Sequence, residues 1–265
     1  MKVLVLDIET TGLSKTNDII SVIGTIVYES LNNTTISKKC YNVMVAEDST
    51  DKNEIIAMKK DIINLLDDAD CVVAFNGINF DMPFIVKWLH DFTKQHNVSD
   101  PLGKRKTPEY STDTVVQTGS NARGSTDNDR WKHKYLDFCR LSKDYTGSYI
   151  SLNNACLENK IKIAKNGSGL QAIQWAKDKK WDLLESYCMQ DVVVLLALTQ
   201  HATTSGLILP LTGYGKRKAK KENTMVLYFD AVMQPFVHED DTNHNDIFDT
   251  ASPNVLDFHA SVDKK

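Results

Sequence analysis

Four acidic residues and one tyrosine, spread over three short stretches, are of the types and spacing to do chemistry together. Asp7 and Glu9 lie in Leu6-Asp7-Ile8-Glu9-Thr10-Thr11-Gly12-Leu13, and Asp81 lies in Phe75-Asn76-Gly77-Ile78-Asn79-Phe80-Asp81-Met82-Pro83-Phe84. Tyr187 and Asp191 lie in Tyr187-Cys188-Met189-Gln190-Asp191. Donors that are all oxygen suit hard cations such as Mg²⁺ or Mn²⁺ rather than structural zinc. Two such ions held by Asp7, Glu9, Asp81 and Asp191 would be suited to cutting a phosphodiester bond.

Each stretch implies an element that positions its residues. Lys2 to Asp7 is apolar and β-branched and reads as a buried strand. Side chains alternate along a strand, so Asp7 and Glu9 point one way and Ile8 the other. Carboxylates side by side repel each other unless a cation lies between them. A second apolar run, Cys71 to Phe75, leads through Asn76-Gly77 into a helix that starts near Phe80, with Pro83 in its first turn. Asp81 then sits at a helix N-terminus, where an acid also serves as an ordinary cap. Tyr187 and Asp191 are four apart in a long helical pattern from Trp181 to His201 and so share a face. Each stretch alone has a plain structural explanation; it is their conjunction that points to a site.

The three motifs together resemble those of the DEDD (DnaQ-like) superfamily of 3′–5′ exonucleases. The chain is most similar to the proofreading domains of family B DNA polymerases and their stand-alone relatives. Asp7 and Glu9 match the first exonuclease motif, Asn76 through Asp81 the second, and Tyr187 with Asp191 the third in its tyrosine form. The sister branch has a histidine five residues before the last Asp, where this chain has Ser186. Tyr135-Leu136-Asp137-Phe138 and Ser151-Leu152-Asn153-Asn154 look like connecting elements of the same family, and the resemblance covers roughly residues 1–205.

The resemblance implies an α/β, ribonuclease-H-like fold and two Mg²⁺ or Mn²⁺ ions. Asp7, Glu9 and Asp191 would hold one, with Asp7 bridging to a second that Asp81 supports. Tyr187 would orient the attacking water; with an ordinary pKa near ~10 a phenol is a poor base at neutral pH. Thr10, Thr11, Gly12 and Leu13 would hold the 3′-terminal nucleotide, Leu13 as a wedge between bases. Asn76 matches a residue near the substrate, and Phe80 has the character to stack on a base. Leu13 and Phe80 fit a hydrophobic core equally well, and Asn76 before Gly77 is also an ordinary turn residue. The expected activity is removal of nucleotides from 3′ ends of single-stranded or frayed DNA. The alternatives are a 3′–5′ exoribonuclease, or a non-catalytic nuclease-like module that only binds nucleic acid or a polymerase; the intact acids and Tyr187 weigh against the last. The expected partners are single-stranded nucleic acid, DNA before RNA, and a DNA polymerase or other replication or repair protein.

Bulk properties bound these readings. No apolar run approaches the ~18 residues of a membrane span, so the chain is expected to be soluble, without membrane attachment. Five cysteines without paired spacing point to reduced thiols and an intracellular setting. A net charge of −4 argues against a protein that coats nucleic acid along its length. It leaves a nuclease open, because bound cations reverse the local charge. Basic residues gather at Lys104-Arg105-Lys106 with Arg123, Arg130, Lys132 and Lys134, and again in the run Lys216–Lys221. That run would grip phosphates, serve as a nuclear import signal, or simply be a solvated loop.

The pattern predicts strands at 2–8, 18–29 and 34–46, a helix at 51–68, a strand at 71–75 and a helix at 80–96. A long polar loop follows over 98–132, then a strand at 134–139, short helices at 151–159 and 169–177, and the helix carrying Tyr187. Strands first and then alternating strand and helix implies a mixed five-stranded sheet flanked by helices. The expected organisation is a nuclease domain over 1–205, an extension with the basic run over 206–237, and an acidic disordered tail over 238–265. About sixty residues beyond Ser205 are too few for a polymerase palm, so a stand-alone nuclease or separate proofreading subunit is expected.

Overall fold

A computed structural model describes residues 1–31, 33–96, 131, 134–162, 167–210 and 224–227. Its centre is a five-stranded mixed sheet in the order β3-β2-β1-β4-β5. The strands are β1 (Lys2–Thr10), β2 (Ile20–Glu29), β3 (Thr34–Asn42), β4 (Cys71–Ala74) and β5 (Tyr135–Asp137). The first three form an antiparallel meander, while β4 and β5 run parallel to β1. The helices are α1 (Val43–Asp48), α2 (Lys52–Asp68), α3 (Asp81–His96), α4 (Phe138–Thr146), α5 (Leu152–Glu158), α6 (Gly169–Lys177) and α7 (Trp181–Ser205). A separate two-stranded ladder joins β6 (Leu207–Pro210) to β7 (Thr224–Leu227).

Alternation along β1 divides the core between the two faces of the sheet. Val3 and Val5 join Cys71, Val73 and Leu136 in packing against Val192, Leu195 and Leu198 of α7. Leu4, Leu6 and Ile8 join Val72 and Ala74 in packing against Ile62 and Leu66 of α2 and Phe84 and Ile85 of α3. Asp7 and Glu9 continue the Val3–Val5 series and therefore face α7. Fully buried Leu4 and Leu6 are each worth about 1.5–3 kcal/mol. Among the described residues no helix is long and apolar enough to cross a membrane, and all five cysteines are free thiols.

The structure corrects the expected elements at two strand ends. The strand expected over 34–46 stops at Asn42, the last residue paired with β2. There the Asn42 side chain accepts the Val45 N–H at 3.1 Å and starts α1, burying Val43 and Ala46 one turn apart. The strand expected over 134–139 is only Tyr135–Asp137, because Asp137 caps a helix, α4, absent from the sequence reading. The helix carrying Tyr187 runs on to Ser205, and Gly206 with φ 77° ends it. The long loop, apart from Trp131, the basic run Lys216–Lys221 and the acidic tail lie outside the described residues.

Candidate active site

The acids of the first and third motifs converge because a glycine lets a helix approach the sheet. Asp7 pairs with Gly24 in the β1–β2 ladder, and Glu9 with Val22. A Cβ on Gly24 would stand 2.8 Å from Val192 Cγ2 and 2.9 Å from Cys188 Sγ, so a side chain there would push α7 outward. With none, Cys188 Sγ comes to 3.6 Å from the Asp7 carbonyl oxygen. Asp191, three residues further along the helix, brings a carboxylate oxygen into a group with Asp7 and Glu9 whose members lie within 4.8 Å of one another.

This group strains its own charge. Burial, then the carboxylates of Asp81, Glu9 and Asp191, push Asp7 well above the usual carboxylate range. Cys188 does not add a soft ligand. The neighbouring Cys40 thiol, followed by burial and the Asp7 charge, holds the Cys188 thiol well above its ordinary value and therefore protonated. Carboxylate oxygens crowded together, with a neutral thiol beside them, fit a hard divalent cation and relieve their repulsion by holding one.

Asp81 is buried, 3% exposed, at the first position of α3. Its Oδ1 accepts the N–H of Ile8, the residue between Asp7 and Glu9, at 3.1 Å. Burial raises its pKa to about 7 against the lowering effect of its own and Ile8's amides, and the Asp137 charge adds to the rise. Asp81 thus lies beside Asp7 but outside the tight group of three. Tyr187 is buried, edge-on to Trp175 with ring centroids 5.9 Å apart. Burial, and then the carboxylates of Asp191 one turn on and of Glu9, push the phenol far above its ordinary value.

The Thr10–Leu13 stretch forms a tied loop at the end of β1. The Thr10 hydroxyl donates to the Gly12 carbonyl, and the Thr11 N–H donates to the Ile19 carbonyl at 3.0 Å. Asp18 accepts from the Thr11 hydroxyl at 3.2 Å and from the Ser14 N–H at 2.8 Å. A Cβ on Gly12 would fall 2.5 Å from that carboxylate, so Gly12 is what allows Asp18 under the loop. From outside, Lys87 of α3 donates to the carbonyls of Lys15 and Thr16 at 3.1 and 3.0 Å. Leu13 stands 71% exposed at the loop's tip, which removes its reading as a core residue. Phe80 is half-buried and tilted against Phe84 at 5.1 Å. Asn76 adopts φ 64°, a conformation that asparagine tolerates better than most residues.

Three residues that shape the site escaped the sequence reading. Gly24 carries no motif, and nothing marks it until its cross-strand partner is known. Asp18 looks like an ordinary loop acid. Asp137 carries a signal, an Asp at a strand end before an apolar stretch, but Phe138 and Cys139 extend the strand pattern past it.

Among solved structures, exonuclease I superposes with a TM-score of 0.42 at 14% identity, covering 76% of this chain and 40% of that one. Escherichia coli exonuclease I in complex with a dT13 oligonucleotide gives 0.42 at 14%, covering 77% and 41%. The same enzyme with a dA16 oligonucleotide gives 0.41 at 13%, covering 76% and 40%. The chain thus spans about two fifths of the length of these proteins. No curated protein matches it in sequence. The family model of the RNase H superfamily matches residues 4–203, most of the chain and all three motifs, and the protein belongs to that superfamily.

Proposed function

We propose that this protein is a metal-dependent 3′–5′ exonuclease of the tyrosine branch, acting on single-stranded or frayed DNA ends. The observation that carries the reading is the grouping of Asp7, Glu9 and Asp191 within 4.8 Å, with Tyr187 one turn before Asp191 on α7. An RNase-H-like sheet supports the same chemistry, because β1 delivers two carboxylates to a helix that carries the third. The nuclease unit is placed at residues 1–205, with 206–237 as an extension and 238–265 as a tail.

Asp7, Glu9 and Asp191 would hold one Mg²⁺ or Mn²⁺, and Asp7 with Asp81 a second. When bound, the pair supplies Lewis-acid activation of water and neutralises charge at the leaving 3′ oxygen. The protein's own groups do the rest. Asp81, fixed to the Ile8 amide, keeps its carboxylate beside Asp7. Tyr187, held protonated by burial and the neighbouring Asp191 carboxylate, keeps a hydroxyl on α7 that can orient a water. The tied Thr10–Leu13 loop offers backbone groups to a terminal nucleotide, and exposed Leu13 offers an apolar edge against a base. Phe80, half-exposed near the Asp81 helix start, offers a stacking face.

The test is a degradation ladder on single-stranded DNA and RNA, labelled at either end, with Mg²⁺, Mn²⁺ or chelator. Stepwise shortening from the 3′ end that needs the cation supports the reading. Full activity in chelator, or efficient cutting of closed circular strands, would overturn it. The ratio of DNA to RNA rates decides the substrate.

A further inference from the structure

Asp137 does more than cap a helix. It ends β5 opposite Ala74 of β4 and is buried, 3% exposed. Its Oδ1 accepts the N–H of Cys139 at 3.0 Å and of Arg140 at 3.2 Å, which is the cap of α4. The same oxygen accepts the N–H of Asn76 at 2.8 Å, and Oδ2 accepts the N–H of Ile78 at 3.1 Å. A cap needs the first two alone. The other two reach about sixty residues back along the chain, into the turn of the second motif.

That turn sets where Asp81 stands. The Asn76 carbonyl accepts the Phe80 N–H at 2.9 Å, and the Gly77 carbonyl accepts the Met82 N–H at 2.9 Å, so both residues flanking Asp81 hang from it. The turn is tight: Asn76 is left-handed, and a Cβ on Gly77 would stand 2.4 Å from Ala74 Cβ and 3.4 Å from Asp81 Oδ2. Asp81 then reaches the Ile8 amide between Asp7 and Glu9. A continuous series of hydrogen bonds therefore runs from Asp137 through the turn to Asp81 and on to β1.

We propose that Asp137 is a positioning residue for the nuclease site, holding the Asn76–Ile78 turn so that Asp81 faces the carboxylate group. This rests on the exonuclease reading for its kinetic consequence, while the structural consequence stands by itself. Four amide donors on one buried carboxylate make a rigid junction, since each buried N–H left without an acceptor is destabilising.

Two substitutions separate this role from capping. Asn and Ser are as good at a helix N-cap as Asp. In Asp137→Asn the side-chain oxygen keeps the α4 cap, but its NH₂ replaces Oδ2 and faces the Ile78 N–H, donor against donor. In Asp137→Ser the cap stays and the shorter side chain reaches neither turn amide. The experiment measures amide exchange at Asn76, Ile78, Cys139 and Arg140, Mn²⁺ binding, and kcat and KM on single-stranded DNA. Exchange at Ile78 should quicken at least ~10-fold in both variants, and at Asn76 in the Ser variant, with Cys139 and Arg140 unchanged. kcat should fall by roughly 10–100-fold with KM within about threefold, because Asp81 is displaced while the Thr10–Leu13 loop is not. Asp137→Asn keeps three of the four bonds and serves if the Ser variant fails to fold. Wild-type exchange at Ile78 in the Asn variant, or fast exchange there with wild-type kcat, would overturn the proposal. An inactive wild-type protein would instead sink the exonuclease reading, and the exchange data would still decide whether Asp137 holds the turn.

Discussion

Gly24 lies directly across the ladder from Asp7, and its missing side chain is the gap through which Cys188 of α7 comes within 3.6 Å of the Asp7 backbone. Sheet and helix meet at the position where the first and third motifs must be joined. The separation of Asp7 from Asp191 is therefore set by a residue in neither motif.

Gly24→Val should make that dependence visible. Its methyls would overlap Cys188 and Val192, and overpacking of this kind destabilises by about 1–3 kcal/mol. Because α7 can yield only by moving off the sheet, Asp191 should retreat from Asp7 and Glu9. The expected result is a lower Tm together with Mn²⁺ binding weakened at least ~10-fold, read by melting and by titration. Unchanged Mn²⁺ affinity would mean that the carboxylates are placed by something other than this close approach.

Acidity gives a second test, made in chelator. Asp81 rises from an ordinary 3.8 to about 7, and Asp7 rises well above its usual range. Between roughly pH 4 and 7 the folded protein then binds more protons than the unfolded chain, so its stability should fall as pH rises through that window. Asp81→Asn removes one of these groups and should gain on the order of 1–3 kcal/mol at pH 8, with little change near pH 4. Activity should drop by orders of magnitude in the same variant. Metal binding should tighten with pH over the same window and release protons, seen as a buffer-dependent heat in calorimetry. Metal-free stability that rises across this window would contradict the raised carboxyls.

The order and type of the elements near the site were legible in the sequence, because each has its own periodicity. The alternation of β1 put Asp7 and Glu9 on one face, and the four-residue step put Tyr187 beside Asp191. The ends of β3 and β5 were not legible, because Val43 to Ala46 and Phe138 to Cys139 are apolar enough to extend a strand. Side-chain caps from Asn42 and Asp137 overrule that pattern, and a cap depends on local backbone geometry rather than on hydrophobicity. Gly24, Asp18 and Asp137 act through partners distant in sequence, so their roles appear only once the chain is folded.

The loop that carries Leu13 yields a third prediction. Asp18 holds it from beneath and Lys87 from outside, and neither belongs to the carboxylate group. Asp18→Ala should loosen the loop and raise KM for single-stranded DNA by roughly 10-fold, with a smaller change in kcat. Leu13→Ala should act in the same direction. The double variant should cost less than the sum of the two, because a loosened loop no longer presents Leu13. Additive effects on KM would show that Asp18 and Leu13 serve the substrate independently.

Tyr187 separates positioning from metal binding most cleanly. It stands one turn before Asp191 on α7, yet the three side chains grouped to hold an ion are the carboxylates of Asp7, Glu9 and Asp191. Tyr187→Phe should therefore leave Mn²⁺ affinity within about threefold of wild type. The ring stays edge-on to Trp175, so folding and substrate binding should barely move. What is lost is the hydroxyl beside Asp191, and with it the orientation of the attacking water. The rate should fall by roughly 10–100-fold, which corresponds to about 1.4–2.7 kcal/mol. Burial and neighbouring carboxylates hold the phenol protonated far beyond neutrality, so the pH–rate profile should neither gain nor lose a step near pH 7. Single-turnover rates across pH for both proteins, with metal titrations alongside, provide the measurement. A wild-type rate in the Phe variant would remove Tyr187 from the mechanism, and a large loss of Mn²⁺ affinity would make its hydroxyl a support for Asp191 instead.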